Sequence, residues 1–133
     1  MKQDLTVIEA KRVGIIKLDQ TSSLFDFAKI MVDQDVSAVV VVDSKAYLAG
    51  IITRTDLLRA LVSSNEWETL PVERFMNKDV ITVPEHTTLY QVADLLLEKQ
   101  IHRVIVIREE NNKKKPISIV SAADIVYHMT KEI

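Results

Sequence analysis

The apolar pattern of this chain occurs twice. A shift of 65 positions carries Leu5 onto Leu70, Val7 onto Val72, Leu24 onto Leu89 and Phe25 onto Tyr90. The same shift lays Ile30-Met31-Val32 on Leu95-Leu96-Leu97, and Val39-Val40-Val41-Val42 on Val104-Ile105-Val106-Ile107. Past the next turn the offset becomes 68, pairing Thr53 with Ser121 and Asp56 with Asp124. The three additional residues are expected in the loop around Asn111-Asn112-Lys113-Lys114-Lys115. Loops accept insertions, whereas a strand shifted by one residue would turn its core face to water. The duplication divides the sequence into residues 1–66, the first repeat with its linker Ser63-Ser64-Asn65-Glu66, and residues 67–133, the second.

Each repeat reads strand, helix, strand, strand, helix. In the first, a strand over 14–18 leads to Ser23, a good N-cap, and a helix over 24–34 whose apolar residues recur at helical spacing. A β-branched run over 36–42 reads as a buried strand, and 47–53 returns beside it as a hairpin. A second helix begins near Asp56. The second repeat predicts strands over 80–83, 103–107 and 117–120, with helices over 89–100 and from Asp124 to Met129.

Composition removes several function classes. Of 133 residues, 47% are hydrophobic and 27% charged, the balance of a globular chain, and no apolar run reaches the roughly 20 residues of a membrane span. The first residues carry no signal-peptide pattern, so a cytoplasmic location is expected. A net charge of -2 disfavours nucleic-acid binding, and the absence of cysteine removes thiol catalysis and thiolate zinc sites. The three histidines show no metal spacing. Nor is there a G-x-S-x-G elbow, a P-loop or a glycine-rich dinucleotide loop in a chain with two glycines, so no enzyme is expected.

Two pairs carry the chemistry. Thr53…Asp56 and Ser121…Asp124 each set a hydroxyl three residues before a carboxylate. On spacing alone both read as helix caps, because Ser23…Asp26 and Thr88…Gln91 open the other two helices in the same way. His102-Arg103 begins the second repeat's central strand, where the first repeat has Ser37-Ala38. The guanidinium is a planar fork suited to phosphate, and a solvated charge at a strand end is an equally good reading of the residues alone.

Read together, these segments resemble the CBS domain family. The resemblance rests on Val72-Glu73-Arg74-Phe75-Met76 as lead-in, Val80-Ile81-Thr82-Val83-Pro84 as first strand, His102-Arg103-Val104-Ile105-Val106 as second strand, and Gly50-Ile51-Ile52-Thr53-Arg54-Thr55-Asp56 as the strand-to-helix motif. It departs at Val7-Ile8-Glu9-Ala10-Lys11, which lacks the usual Met, and at Ser118, which stands where the first repeat has Gly50. The fold it implies is α+β, two βαββα repeats packed through their sheets with pseudo-two-fold symmetry. It also implies two clefts for an adenine nucleotide: AMP, ADP, ATP or S-adenosylmethionine.

By the same resemblance, Asp56 and Asp124 accept the ribose hydroxyls, helped by Thr53 and Ser121. A carboxylate suits that task because it accepts two charge-assisted hydrogen bonds. His102, Arg103 and Arg54 face the phosphate, backbone groups near Ile16-Lys17 and Ile81-Thr82 read the base, and Val36 or Ile101 covers its face. Such a module regulates a partner protein. The other reading is a ligand-free scaffold, a homodimer joined through the apolar residues of each repeat's second helix (Leu57, Leu58, Leu61; Ile125, Val126, Met129).

Overall fold

A computed structural model describes residues 1–11 and 14–131. The first repeat forms β1 (Lys17–Asp19), α1 (Leu24–Gln34), β2 (Ala38–Val42), β3 (Leu48–Thr53) and α2 (Arg54–Ser63). Two short 3₁₀ turns follow, Trp67–Thr69 and Val72–Arg74. The second repeat forms β4 (Thr82–Pro84), α3 (Leu89–Lys99), β5 (Arg103–Glu110), β6 (Lys113–Ser121) and α4 (Ala122–Met129). Each repeat makes a three-stranded sheet, in which the first strand runs parallel to the central one and the third antiparallel. The architecture is thus α+β, with two small sheets and four helices.

Capping explains where the helices start and stop. All four begin on a reciprocal box between a Ser or Thr hydroxyl and the third helical residue. Asp56 and Asp124 are those third residues, which is why α2 and α4 start two residues earlier than the sequence reading placed them. Helices α1 and α3 both end on a left-handed residue, Asp35 at φ 51° and Gln100 at φ 54°. The Val36 amide still bonds the Met31 carbonyl at 3.1 Å, so β2 opens at Ala38 and not at Val36.

The second hairpin corrects one expectation. Lys113, Lys114 and Lys115 are strand residues, paired across from Glu110, Glu109 and Arg108, and the inserted residues lengthen both strands. The turn itself is Asn111-Asn112, with φ of 53° and 62°. Two consecutive left-handed residues are what a tight two-residue hairpin requires, and asparagine tolerates them. Opposite charges face each other at Glu109/Lys114 and Glu110/Lys113, so the extension is electrostatically balanced in water.

The packed units do not follow the order of the repeats. One unit is Ile16–Val80; the other joins Met1–Ile15 to Ile81–Ile133. The lead-in of each repeat therefore lies against the sheet of the other. The Val7 amide donates to the Thr87 carbonyl at 2.8 Å and the Leu89 amide to the Leu5 carbonyl at 2.9 Å. Val7 is wholly buried among Val83, Leu89, Val92 and Val104. In the other unit, Val72 takes the equivalent place among Leu24, Phe27, Val39 and Ile52, with Trp67, Leu70, Phe75 and Met76 packed around them. Asn77 and Ile51 exchange backbone hydrogen bonds of 2.9 and 3.0 Å there.

Among the described residues no helix is long and apolar enough to cross a membrane.

Candidate functional site

In the unit containing β6, the Ser121 amide and hydroxyl donate to Asp124 Oδ2 at 2.8 and 3.0 Å, and the Asp124 amide returns a bond to Ser121 Oγ at 3.2 Å. The pair is therefore a cap, as spacing alone implies. It also stands at an opening: Asp124 lines a pocket of about 70 Å³ with Ala10, Lys11, Ser118, Val120 and His128. Pockets that enclose a whole small molecule run to about 300–1,000 Å³, so this recess has room for part of one. His128 Nε2–H donates to the Ala10 carbonyl at 3.0 Å, which ties α4 to the lead-in segment and closes one wall. On that segment, the Thr6 hydroxyl and amide both donate to Glu9 and hold its carboxyl below the usual range.

Sheet register sets Arg103 beside Ser121, although neither residue lines the pocket. The arginine is the cross-strand partner of Ser121 at the end where β6 turns into α4. His102, just before it, is exposed and accepts the Ala122 amide on its carbonyl at 3.0 Å. Ile101 is partly buried against the core of the same unit.

Thr82 lies two places along the sheet, and β4 is an edge strand. The Ile81 carbonyl is taken by the Ile105 amide at 3.1 Å. In a parallel ladder alternate residues address the same neighbour, so the Thr82 amide and carbonyl point away from β5 along the open edge. The Thr82 hydroxyl accepts from Lys114 at 3.3 Å.

Thr53, Arg54 and Asp56 occupy the matching place in the other unit. Thr53 donates to Asp56 Oδ2 from its amide at 2.8 Å and its hydroxyl at 2.9 Å. Asp56 Oδ1 accepts from Arg59 Nη1 at 2.7 Å, and the aspartate is only 7% exposed. Arg54 lies 3.8 Å from Asp35 in a solvated ion pair. The Ile16 carbonyl accepts from Val40 at 3.1 Å, leaving the Lys17 backbone on the open edge of β1.

The sequence gives no site role to Ala10, Lys11, Ser118, His128 or Arg59. A signal existed for two of them. Lys11 stands where the other repeat has Met76, and Ser118 where it has Gly50, the two departures from the family pattern. Among the described residues no cluster of three or more histidine, aspartate or glutamate side chains could hold a metal ion.

An uncharacterised 17.7 kDa protein of Acidianus ambivalens is 30% identical over 125 residues, which cover 94% of this chain and 72% of that one. The 5′-AMP-activated protein kinase subunit gamma-3 of Sus scrofa is 24% identical over 131 residues, covering 93% of this chain but 24% of the subunit. For most of the curated relatives it matches, the chain spans less than two thirds of their length. A solved CBS domain pair in complex with 5′-methylthioadenosine and S-adenosyl-L-methionine superposes with a TM-score of 0.79. It is 26% identical and covers 93% of this chain and 94% of that one. The pattern that defines the CBS domain matches residues 7–63 and again 72–131, and the chain belongs to the CBS domain family as a tandem pair.

Proposed function

We propose that this chain is a non-catalytic regulatory module of the cytoplasm that binds an adenine nucleotide and reports its presence to a partner protein. One observation carries the reading: Asp124, which Ser121 caps, lines a pocket, and Arg103 is the cross-strand partner of Ser121. A carboxylate there accepts the two ribose hydroxyls, and Arg103 with His102 meets the phosphate. Ile81, Thr82 and Ile101 take the base along the open edge of β4, and Thr53, Arg54 and Asp56 are the matching set in the other unit. Relatives support the ligand class, since one carries AMP activation in its name and one was solved with two adenosyl compounds.

The test is a thermal shift. A ligand that binds only the folded state adds about 2.7 kcal/mol at a hundredfold excess over Kd, a rise of several degrees for a chain of this size. AMP, ADP, ATP or S-adenosylmethionine is expected to produce it, and Asp124→Ala to remove most of it for every ribose-bearing ligand. Arg103→Ala is expected to weaken AMP while sparing adenosine. No shift with any of the four at millimolar concentration would overturn the reading.

Exposed apolar side chains favour a homodimer alongside this role. Leu58, Leu61 and Val62 on α2, and Val126 and Met129 on α4, are all more than half exposed. Leu57 and Ile125, expected on the same surface, turn inward instead: Leu57 is partly buried against the core of its unit and Ile125 is 7% exposed. Leu61→Glu is expected to shift the protein to monomer in sedimentation without loss of helix. A wild-type monomer at tens of micromolar would count against the dimer.

A further inference from the structure

Both oxygens of Asp56 are engaged within its own unit. Oδ2 accepts from the Thr53 amide at 2.8 Å and from the Thr53 hydroxyl at 2.9 Å, the helix cap. Oδ1 accepts from Arg59 Nη1 at 2.7 Å. Arg59 stands three residues further along α2, on the same side of the helix, so its guanidinium closes on the carboxylate from within one element. The pair is unequal: the Arg59 side chain is 67% exposed and that of Asp56 10%. A short charge-assisted bond to a nearly buried oxygen outlasts a solvated surface pair, because little water competes for it. The cap itself is complete without Arg59, which meets the oxygen that Thr53 leaves over.

A carboxylate has about four acceptor places. Thr53 takes two and Arg59 a third, so what is left suits a single sugar hydroxyl. Resting on the proposed role of Asp56 as a ribose acceptor, we infer that Arg59 is a specificity-determining residue that competes with the ribose for Asp56 Oδ1. With Arg59 in place the unit Ile16–Val80 takes one sugar hydroxyl of a nucleotide and does not tell ribose from 2′-deoxyribose. Without it, both vicinal hydroxyls reach the carboxylate and the unit selects ribose. The other repeat differs at this position, since a shift of 68 sets Tyr127 on Arg59.

Isothermal calorimetry on the full chain tests this in an Asp124→Ala background, which confines the measurement to the Asp56 unit. The probes are AMP and 2′-deoxy-AMP, whose ratio of affinities cancels any effect of Arg59 on the phosphate. With Arg59 in place the two are expected to bind within about threefold of each other. Arg59→Met is expected to separate them by about tenfold or more, the worth of one hydrogen bond to a charged group. Arg59→Lys keeps a charged donor beside Asp56 and is expected to stay within about threefold. Should Arg59→Met fail to melt cooperatively, Arg59→Tyr, the residue of the other repeat, gives the same measurement. Tenfold selectivity with Arg59 in place would overturn this inference and leave the nucleotide reading standing. So would unchanged selectivity, or no heat, in the neutral variants. No heat from the wild type with AMP, ADP, ATP or S-adenosylmethionine would overturn both together.

Discussion

Severing the backbone between Ser63 and Glu66 is expected to leave two halves that are unfolded alone and that fold when mixed. The cut falls in an exposed connection and breaks no core contact. What it does is part each lead-in from its sheet. A fragment beginning at residue 65 keeps β4 to α4 but loses Val7, wholly buried, and Leu5 packed beside it. A fragment ending at residue 64 loses Val72, also wholly buried, and with it Trp67, Leu70, Phe75 and Met76. Each fully buried aliphatic side chain stabilises by roughly 1.5–3 kcal/mol. Against the ~5–15 kcal/mol that holds a typical domain, two or three such losses are decisive, and ~60-residue chains are marginal to begin with. Circular dichroism and proton NMR of each fragment, then of the equimolar mixture, read the outcome. A cooperative, monomeric melt from the second fragment alone would show that the exchanged lead-ins are dispensable.

Phe27→Ala is expected to cost about 3–5 kcal/mol, while Phe25→Ala, on the same helix, stays within about 1 kcal/mol. The two phenylalanines differ only in the face of α1 they occupy. Phe27 is wholly buried among Leu24, Met31, Val39 and Ile52; Phe25 is 50% exposed. Truncating Phe27 removes the largest fully buried side chain among the described residues and leaves a cavity that neighbours fill only in part. The corresponding fall in melting temperature is roughly 10–20 °C for a chain of this length. Urea titration of both variants measures the difference. Equal losses would mean that α1 is rotated about its axis from the position described.

The fold was legible because two periodicities repeat. Helical spacing from Leu24 to Gln34 gave α1 its observed ends, and the β-branched runs located both central strands. The errors came from local rules that hydrophobic pattern does not carry. The sequence starts α2 near Asp56 and α4 at Asp124, whereas the capping spacing of the same pairs puts each carboxylate at the third helical residue. Lys113-Lys114-Lys115 was read as a loop because strands are scarce in lysine, but cross-strand glutamates make such a strand stable. Exchange of the lead-ins leaves no mark in composition, since Val7 and Val72 look alike whichever sheet they cover. The candidate site shows the same division. Ser121, Asp124 and Arg103 follow from motif and register, and His128 stands one helical turn after Asp124, whereas Ala10 and Lys11 reach the pocket through tertiary packing that spans more than 100 positions in sequence.

That exchange also fixes an order of events during synthesis. The unit Ile16–Val80 is one unbroken stretch, complete once Val80 clears the ribosome. Val7 has emerged by then, but its partners from Val83 to Ile125 have not been made. At about 5–20 residues per second, the lead-in waits on the order of ten seconds for its sheet. The unit that carries Asp124 is therefore the last to form on every nascent chain. Until Val83 to Ile125 have emerged, Leu5 and Val7 remain available to any chaperone that holds short apolar segments.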